Sequence, residues 1–232
     1  MLVSVIIPTY NRFTFVQRAI NSVLAQTHSD VEIIVIDDCS TDTDYLTLPS
    51  LYKDYSNVSI IRNDVNFRTK FNSTHAQGET RNVGLRAVNP NAEWIAFLDD
   101  DDFWFPTKLS RQLQAMSQLH TLMSCTNAYK GHGIDIQSYS KELLLTEPVG
   151  YVTEWPTVYR ITLPHNDTNN WIINSSVLIH KTLFERVGFL KAEKYEDFMY
   201  WKRCLQFTHC ANVFEPLVGY DASHGFGQHY RY

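Results

Sequence analysis

Four consecutive carboxylates, Asp99 to Asp102, form the densest group of charges in the sequence, and they directly follow the apolar run WIAFL. Carboxylates this close repel one another, and the repulsion raises their pKa values unless a cation relieves it. Mg²⁺ and Mn²⁺ are hard cations that bind carboxylate oxygens together with the phosphate oxygens of a substrate. The run therefore predicts a site for Mg²⁺ or Mn²⁺. The alternative is a solvated acidic turn before a helix that begins near Pro106.

A second pair of acids, Asp37 and Asp38, follows the strand-like run at residues 31–36. A carboxylate at this position can accept a hydrogen bond from the imide N–H of a base or from a ribose hydroxyl. An acid in a turn, or one that caps a helix near Ser40, fits the same pattern. The pair alone does not decide between these two interpretations.

The elements that must position these acids alternate through the first half of the chain. Short apolar runs at residues 3–7, 31–36, 58–61, 93–98 and 122–128 are typical of buried strands. Segments with helical spacing separate them, which predicts an α/β fold: a mostly parallel sheet with helices on both faces. In such sheets ligands bind beyond the carboxyl ends of the strands, where both acidic groups fall.

The helices of the first half are predicted from caps and spacing. Asn11 is expected to cap the first helix, and a looser helix is expected from about Ser40 to about residue 55. Residues 63–76 have the composition of a loop. A helix with Val83, Leu85 and Val88 is expected to follow this loop, and Pro106 suits the first turn of the next helix.

The second half is less regular. Residues 131–170 show no sustained period, which indicates short strands or a mobile loop over a site. Residues 171–179 resemble a strand, a helix is expected to stop at Gly188, and Trp201 lies on the apolar face of a last helix. Residues 213–220 are predicted to close the sheet.

Composition excludes several classes of protein. The chain has 232 residues, 44% of them hydrophobic, and a net charge of −5 without a long basic run, so a nucleic-acid surface is not expected. The four cysteines form no CxxC pair, which argues against a zinc site and a disulfide framework. We expect a soluble, cytoplasmic protein, since no basic leader and no apolar stretch near ~20 residues is present.

Six segments resemble the family-2 glycosyltransferases, which adopt the GT-A fold. In the first half, in chain order, these are VSVIIPTYNR (3–12), IIVIDDCSTD (33–42), TRNVGLRA (80–87) and WIAFLDDDDFWFPTKL (94–109). In the second half they are VLIHKTLFERVGFL (177–190) and YEDFMYWKRCL (195–205). Each motif is modest evidence, whereas the ordered set is specific. The resemblance implies a single GT-A domain over residues 1–232, with a donor half (about 1–129) and an acceptor half (about 130–232).

The resemblance assigns the nucleotide contacts. Pro8, Thr9 and Tyr10 match the turn that packs on the nucleotide. Asp38 matches the acid that reads a uracil or similar base, which favours a UDP- or dTDP-sugar donor. Arg81 matches a basic residue near the phosphates, and a surface arginine of a helix is the alternative.

The same resemblance divides the acidic run. Asp99 and Asp101 are the outer members of a DXD motif. Asp101 is expected to bind the metal directly, and Asp99 to contact the ribose or a metal-bound water. Asp100 takes the variable middle position of the DXD motif and is expected to contact the donor. The resemblance defines no role for Asp102.

Asp197, in the pair Glu196–Asp197, matches the general base of the family. An inverting transfer needs a carboxylate that takes the proton of the acceptor hydroxyl as it attacks the anomeric carbon. Two acids at a helix N-terminus are also favoured by the helix dipole. The acceptor is expected to be a glycan, a protein or a lipid, and the sequence does not predict the oligomeric state.

Weaker candidates lie in the irregular segment and the tail. Tyr151, Trp155, Tyr159 and Trp171 are candidate acceptor contacts or core residues. His224 or His229 could join the metal ligands, or could simply pack.

Two other functions share this architecture. A nucleotidyltransferase that forms nucleotide sugars usually has a glycine-rich basic loop after the first strand, but PTYNRFTF at residues 8–15 contains no glycine. A non-catalytic nucleotide-sugar-binding module would be expected to lack the DXD motif or the late acid, and both are present.

Overall fold

The computed structural model describes residues 1–72, 76–139, 142–144, 158–162, 166, 170 and 172–223. Its strands are β1 (Val3–Thr9), β2 (Val31–Asp37), β3 (Val58–Arg62), β4 (Trp94–Phe97), β5 (Phe103–Trp104), β6 (Met123–Gly131), β7 (Glu142–Leu144), β8 (Val158–Ile161), β9 (Leu178–His180) and β10 (Cys210–Asp221). Its helices are α1 (Phe13–Leu24), α2 (Leu48–Leu51), α3 (Phe67–Phe71), α4 (Gln77–Ala87), α5 (Lys108–Leu119), α6 (Lys181–Val187) and α7 (Glu196–Cys204).

All the described strands belong to one sheet with the order β3-β2-β1-β4-β9-β6-β10-β5, and β7 and β8 pair with β6 and β10. In the first half, β1 pairs in parallel with β2 and β4, and β2 pairs in parallel with β3. These are the strands predicted from continuous apolar runs. Their carboxyl ends lie on one edge, which carries both acidic groups.

The second half adds antiparallel strands to this parallel core. β9 lies between β4 and β6 and is antiparallel to both. β10 runs parallel to β6 but antiparallel to β5 and β8. The predicted α/β fold class is confirmed, with its parallel pairs concentrated in the first half.

Helices cover both faces of the parallel part, as predicted. β1 sends Val5 and Ile7 into one hydrophobic cluster, which contains the buried face of α1. The intervening Ile6 belongs to a second cluster that contains Leu85 of α4. Because successive side chains of a strand point to opposite faces, one apolar run serves both clusters.

The prediction that Asn11 caps α1 is wrong. Arg12 holds the N-cap position, and Asn11 has a positive φ of 50°. The Asn11 side chain instead accepts hydrogen bonds from the backbone N–H groups of Thr41 (2.8 Å) and Asp42 (3.1 Å). It therefore ties the loop after β1 to the loop after β2, and asparagine is among the residues that tolerate this left-handed backbone.

The predicted strand over residues 171–179 is also wrong for most of its length. Asn174–Ser176 forms a 3₁₀ turn, and only Leu178–His180 is a strand. The polar side chains of this turn form hydrogen bonds with other parts of the protein. The apolar residues on either side of the turn give the segment the sequence pattern of a strand. Two smaller elements also differ from the prediction: α3 lies within the expected loop at 63–76, and the looser helix is a 3₁₀ turn, Thr43–Thr47, followed by α2.

Several predicted residues lie outside the described part of the chain: Tyr151, Trp155, Trp171, His224 and His229. Tyr159 lies in β8, and its side chain is not described. Among the described residues, no helix combines the length and apolarity that crossing a bilayer requires.

Candidate functional site

A cleft lies at the carboxyl ends of β1, β2 and β4 and at the end of β10. It brings together every donor-side residue predicted from the sequence. Its lining residues are Pro8, Thr9, Tyr10, Arg12, Asp38, Asn66, Arg68, Gln77, Thr80, Arg81, Asp99, Asp100, Asp101, Asp102, Tyr220 and Asp221.

Thr9 supports the acidic run from β1. Its Oγ1 donates to Asp100 Oδ2 at 2.7 Å and lies 2.6 Å from the hydroxyl of Tyr45. The same Tyr45 hydroxyl accepts from the backbone N–H of Arg12 at 2.8 Å. Thr9 therefore fixes a neighbouring carboxylate as well as lining the cleft.

Arg12 neutralises the middle of the acidic run. Its Nη1 lies 3.0 Å from Asp100 Oδ1 and 2.6 Å from Asp101 Oδ2. The pKa of Asp101 is raised to about 7, mainly by burial; Arg12 lowers it, whereas Asp100 and Asp99 contribute to the rise.

Asp102 is held by hydrogen bonds from two elements. It accepts from Ser175 Oγ in the 3₁₀ turn and, at 2.8 Å, from the backbone N–H of Asp221 at the end of β10. Burial raises its pKa well above the ordinary value, and Asp101 adds to this effect. Asp102 therefore joins the acidic loop to the second half of the chain.

Asp38 fastens the segment after β3 to the cleft. It accepts from Asn63 Nδ2 at 2.8 Å, from Asn66 Nδ2 at 3.1 Å and from the backbone N–H of Phe67 at 3.2 Å. Burial raises the pKa of Asp38, while the bond from Asn63 lowers it. Asp38 therefore stabilises the start of α3. It also lines the cleft, and it is the residue for which the sequence resemblance predicts a contact with the nucleotide base.

Arg81 on α4 links the acidic run to α7. Its Nη2 lies 2.6 Å from Asp99 Oδ1 and its Nη1 lies 2.9 Å from Glu196 Oε1. The residue is 5% exposed, so the alternative of a surface arginine is excluded. Although burial opposes the charge, Asp99 and Glu196 hold the pKa of Arg81 above its ordinary value.

Asp197 follows this ion pair at the start of α7. The residue is half-buried, and its Oδ1 accepts from the backbone N–H of Phe198 at 2.7 Å. Burial and then Glu196 raise the pKa of Asp197 to about 6, while Arg81 opposes them. A carboxylate with this pKa is ionised at neutral pH and basic enough to accept a proton.

The cleft fits a divalent cation by charge. Among its lining residues six have carboxylates and three have guanidinium groups. No three His, Cys, Asp or Glu side chains of the described chain surround a common metal position. Mg²⁺, however, commonly takes one or two carboxylates and completes its shell with phosphate oxygens and water. Asp99 and Asp101 therefore suit a cation that binds together with a diphosphate.

Several residues of the site were not predicted from the sequence. Arg12 stood within the quoted VSVIIPTYNR segment, but its pairing with acids ~90 residues away has no local signal. Asn174 donates to Asp99 Oδ1 at 2.9 Å, and Ser175 Oγ accepts from the Asp99 backbone N–H at 3.0 Å. Spacing along the chain cannot show such long-range contacts.

Comparison with known proteins finds named glycosyltransferases similar to this chain. A protein from Nostoc sp. (strain PCC 7120), named as an uncharacterised glycosyltransferase, is 41% identical over 48% of this chain and 31% of its own length. WfaP of Escherichia coli, a UDP-Glc:α-D-GlcNAc-diphosphoundecaprenol β-1,3-glucosyltransferase, is 30% identical over 88% of this chain and 70% of its own. The chain thus spans only part of the length of these relatives.

The fold agrees as well. A crystal structure of residues 1–349 of Staphylococcus aureus TarS in complex with UDP-GlcNAc superposes with a TM-score of 0.72 at 19% identity, covering 100% of this chain and 62% of that one. The family model described as glycosyl transferase family 2 matches residues 4–180, which include the whole acidic run. The chain belongs to glycosyl transferase family 2.

Proposed function

We propose that this chain transfers a sugar from a nucleoside-diphosphate donor, a UDP-sugar in the first instance, to an acceptor hydroxyl with inversion of configuration. The observation that carries the proposal is the chain of contacts Asp99–Arg81–Glu196, which sets the base candidate Asp197 beside the acidic run. The charges of Arg81 and Asp99 both act on Asp197, which supports a proton acceptor near the donor-side acids, although Asp197 itself does not line the cleft.

The donor would bind with its base next to Asp38 and its diphosphate next to the acidic run. Asp38 offers carboxylate oxygens for the imide N–H of uracil, and Pro8 and Tyr10 line the adjoining surface. Arg12 and Arg81 are the cations nearest the acids, so each can exchange part of a carboxylate contact for a phosphate oxygen.

Asp101 and Asp99 would hold Mn²⁺ or Mg²⁺. When bound, this cation supplies charge that stabilises the leaving diphosphate. The protein's own contribution is positioning: Ser175 and Asn174 hold Asp99, while Arg12 and Thr9 hold Asp101 and Asp100 in place.

Asp197 would accept the proton of the acceptor hydroxyl as that oxygen attacks the anomeric carbon. Burial keeps its pKa near 6, which gives a stronger base than an exposed aspartate while leaving it ionised at neutral pH. The attack comes from the face opposite the leaving diphosphate, and the transfer therefore inverts the configuration.

Named relatives support the class of donor and acceptor. WfaP is named for a UDP-glucose donor and a lipid-linked diphosphate acceptor, and the TarS structure holds UDP-GlcNAc. We extend to this chain a UDP-sugar donor, which both names support, and a glycoconjugate acceptor, which the name of WfaP supports.

The test is a panel of nucleotide sugars with the purified chain, with Mn²⁺ and with EDTA. UDP and at least one UDP-sugar are expected to bind more tightly with Mn²⁺, with slow donor hydrolysis. Failure of every nucleotide sugar to bind would refute the proposal. Binding without hydrolysis or transfer to any glycoconjugate would favour a non-catalytic module, and pyrophosphorolysis of the sugar nucleotide would favour a nucleotidyltransferase.

A further inference from the structure

Arg18 on α1 lies in an aromatic pocket that we define by Phe15, Phe103 and Tyr139. The carbon at the centre of its guanidinium is 5.3 Å from the Phe15 ring centroid, 4.9 Å from that of Phe103 and 5.3 Å from that of Tyr139. A guanidinium on aromatic faces is stabilised by cation–π attraction and stacking. The pocket therefore fixes the plane of the Arg18 head group.

The fixed head group donates to two backbone carbonyls. Nη2 donates to the carbonyl oxygen of Asp101, and Nη1 donates to that of Gly133 at 2.7 Å. The hydroxyl of Tyr139 also donates to the Gly133 carbonyl, at 2.8 Å. One side chain thus connects the acidic loop to the segment that follows β6.

Two glycines leave the space that the rings occupy. A Cβ at Gly131 would lie 2.3 Å from Cγ of Tyr139, and a Cβ at Gly219 would lie 2.2 Å from Cε1 of Phe103. Either contact is far inside van der Waals distance, so a side chain at these positions would displace a ring. Residues from α1, β5, β6 and β10 therefore combine with Tyr139, which ends the 3₁₀ turn Ile136–Tyr139, to form one pocket around Arg18.

We propose that Arg18 is a positioning residue for Asp101: it holds the Asp101 carbonyl so that the carboxylate faces Arg12 in the cleft. Lysine cannot replace it, since a single ammonium lacks the planar fork that reaches two carbonyls while stacking on rings. This inference rests on the proposed function, in which Asp101 binds the cation.

The experiment compares UDP affinity by calorimetry, with Mn²⁺ and with EDTA, in Arg18→Lys, Asp101→Asn and the double variant. Arg86→Lys is the matched control, because Arg86 also stacks on a ring, Phe189 at 4.7 Å, but lies at an exposed position of α4. Arg18→Lys is expected to lower the affinity about tenfold with Mn²⁺, the size typical for residues that orient a metal ligand. With EDTA, or in the Asp101→Asn background, the same change is expected to have less than about a twofold effect.

Equal losses with Mn²⁺ and EDTA, or no loss in either, would overturn the inference while leaving the proposed function intact. If Arg18→Lys fails to fold, Phe15→Leu removes one ring at a half-buried position. It is expected to give a smaller loss confined to Mn²⁺, and unchanged affinity there would overturn the inference. A wild-type chain that binds no UDP would refute the proposed function, and this inference with it.

Discussion

Asp99, Asp100, Asp101 and Asp102 differ in what neutralises them. Asp99 pairs with Arg81, and Asp101 pairs with Arg12, so both face a charged partner that a cation can replace. Asp102 instead accepts bonds from Ser175 and from the Asp221 backbone. Two adjacent acids can therefore serve different purposes, one exchangeable with ligand and the other structural.

Asp197 should set the acidic limit of activity. Its pKa is raised to about 6, mainly by burial, and a general base works only when deprotonated. We therefore expect kcat/KM to fall tenfold per pH unit below about 6, measured with a UDP-sugar as donor. An acidic limb of the pH profile with its midpoint near the ordinary aspartate pKa of about 4 would contradict this assignment.

Replacing the base tests the same residue directly. Asp197→Asn should lower kcat by about 100-fold or more with little change in UDP affinity, because the amide cannot accept the proton. Glu193→Gln, on the preceding turn, is the control and should retain activity. Full transfer activity in Asp197→Asn would show that another group is the base.

Arg81 should contribute strongly to stability. Arg81→Met leaves Asp99 and Glu196 without their buried cation, and breaking such a pair costs about 3 kcal/mol. Urea unfolding at pH 7 measures this loss. Arg86→Met on the exposed side of α4 should change the unfolding free energy by less than about 0.5 kcal/mol.

At the level of elements, sequence reasoning worked where burial is continuous and failed where polar side chains bond across the fold. β1 and β2 were predictable because each contains a run of apolar residues and is buried along nearly all of its length. The turn Asn174–Ser176 was missed because its polar groups bond to the acidic loop and to α5, far away in the chain. Likewise Asn11 has the residue type of a helix cap but bridges two loops instead.

α4 packs closely on the sheet, and Gly84 permits it. A Cβ at this position would lie 2.6 Å from Ile6 Cγ2 and 2.7 Å from Ile36 Cδ1. Gly84→Ala should therefore destabilise the protein by about 1–3 kcal/mol, despite the better helix propensity of alanine. Thermal unfolding measures the loss, and Arg86→Ala is the control on the exposed side of the helix. A stabilised Gly84→Ala variant would contradict the packing argument.

Considered as a whole molecule, the cleft needs both halves of the chain. The parallel half supplies the acidic run and Asp38, whereas the second half supplies Tyr220 and Asp221 to the cleft lining and Ser175 and Glu196 as partners of Asp99 and Arg81. The fold class and the donor acids were predictable, since they rest on local runs and motifs. The links between the halves were not, because nothing local specifies which distant partner a side chain will bond.

A buried lysine should shape the pH dependence of global stability. Lys108 is 0% exposed. Its Nζ lies 2.7 Å from Gln112 Oε1 and 3.9 Å from the centroid of the Trp104 ring. Burial lowers the pKa of Lys108 well below its ordinary value. The unfolded chain then binds more protons at this site, so stability rises with pH up to about 10.

Lys108→Met removes the contribution of Lys108 to the pH dependence of stability. It should be more stable than the wild type at pH 7 by about 1 kcal/mol or more, and the difference should narrow as the pH approaches 10. Chemical denaturation from pH 6 to pH 10 measures both effects. Lys53→Met, at an exposed position, should give a difference that does not vary with pH. A less stable Lys108→Met variant would show that its contacts outweigh the cost of burial.

The two ion pairs of Arg81 also imply thermodynamic linkage between donor and acceptor. Its Nη2 contacts Asp99 of the acidic run, and its Nη1 contacts Glu196, which precedes the proposed base Asp197. A diphosphate that takes over part of the Arg81 contact relaxes the restraint on Glu196 and hence on the start of α7. Linkage is reciprocal, so whatever factor donor binding applies to acceptor affinity, acceptor binding must apply to donor affinity. Under the proposed function, the Arg81 guanidinium therefore couples the affinity for the donor to the affinity for the acceptor.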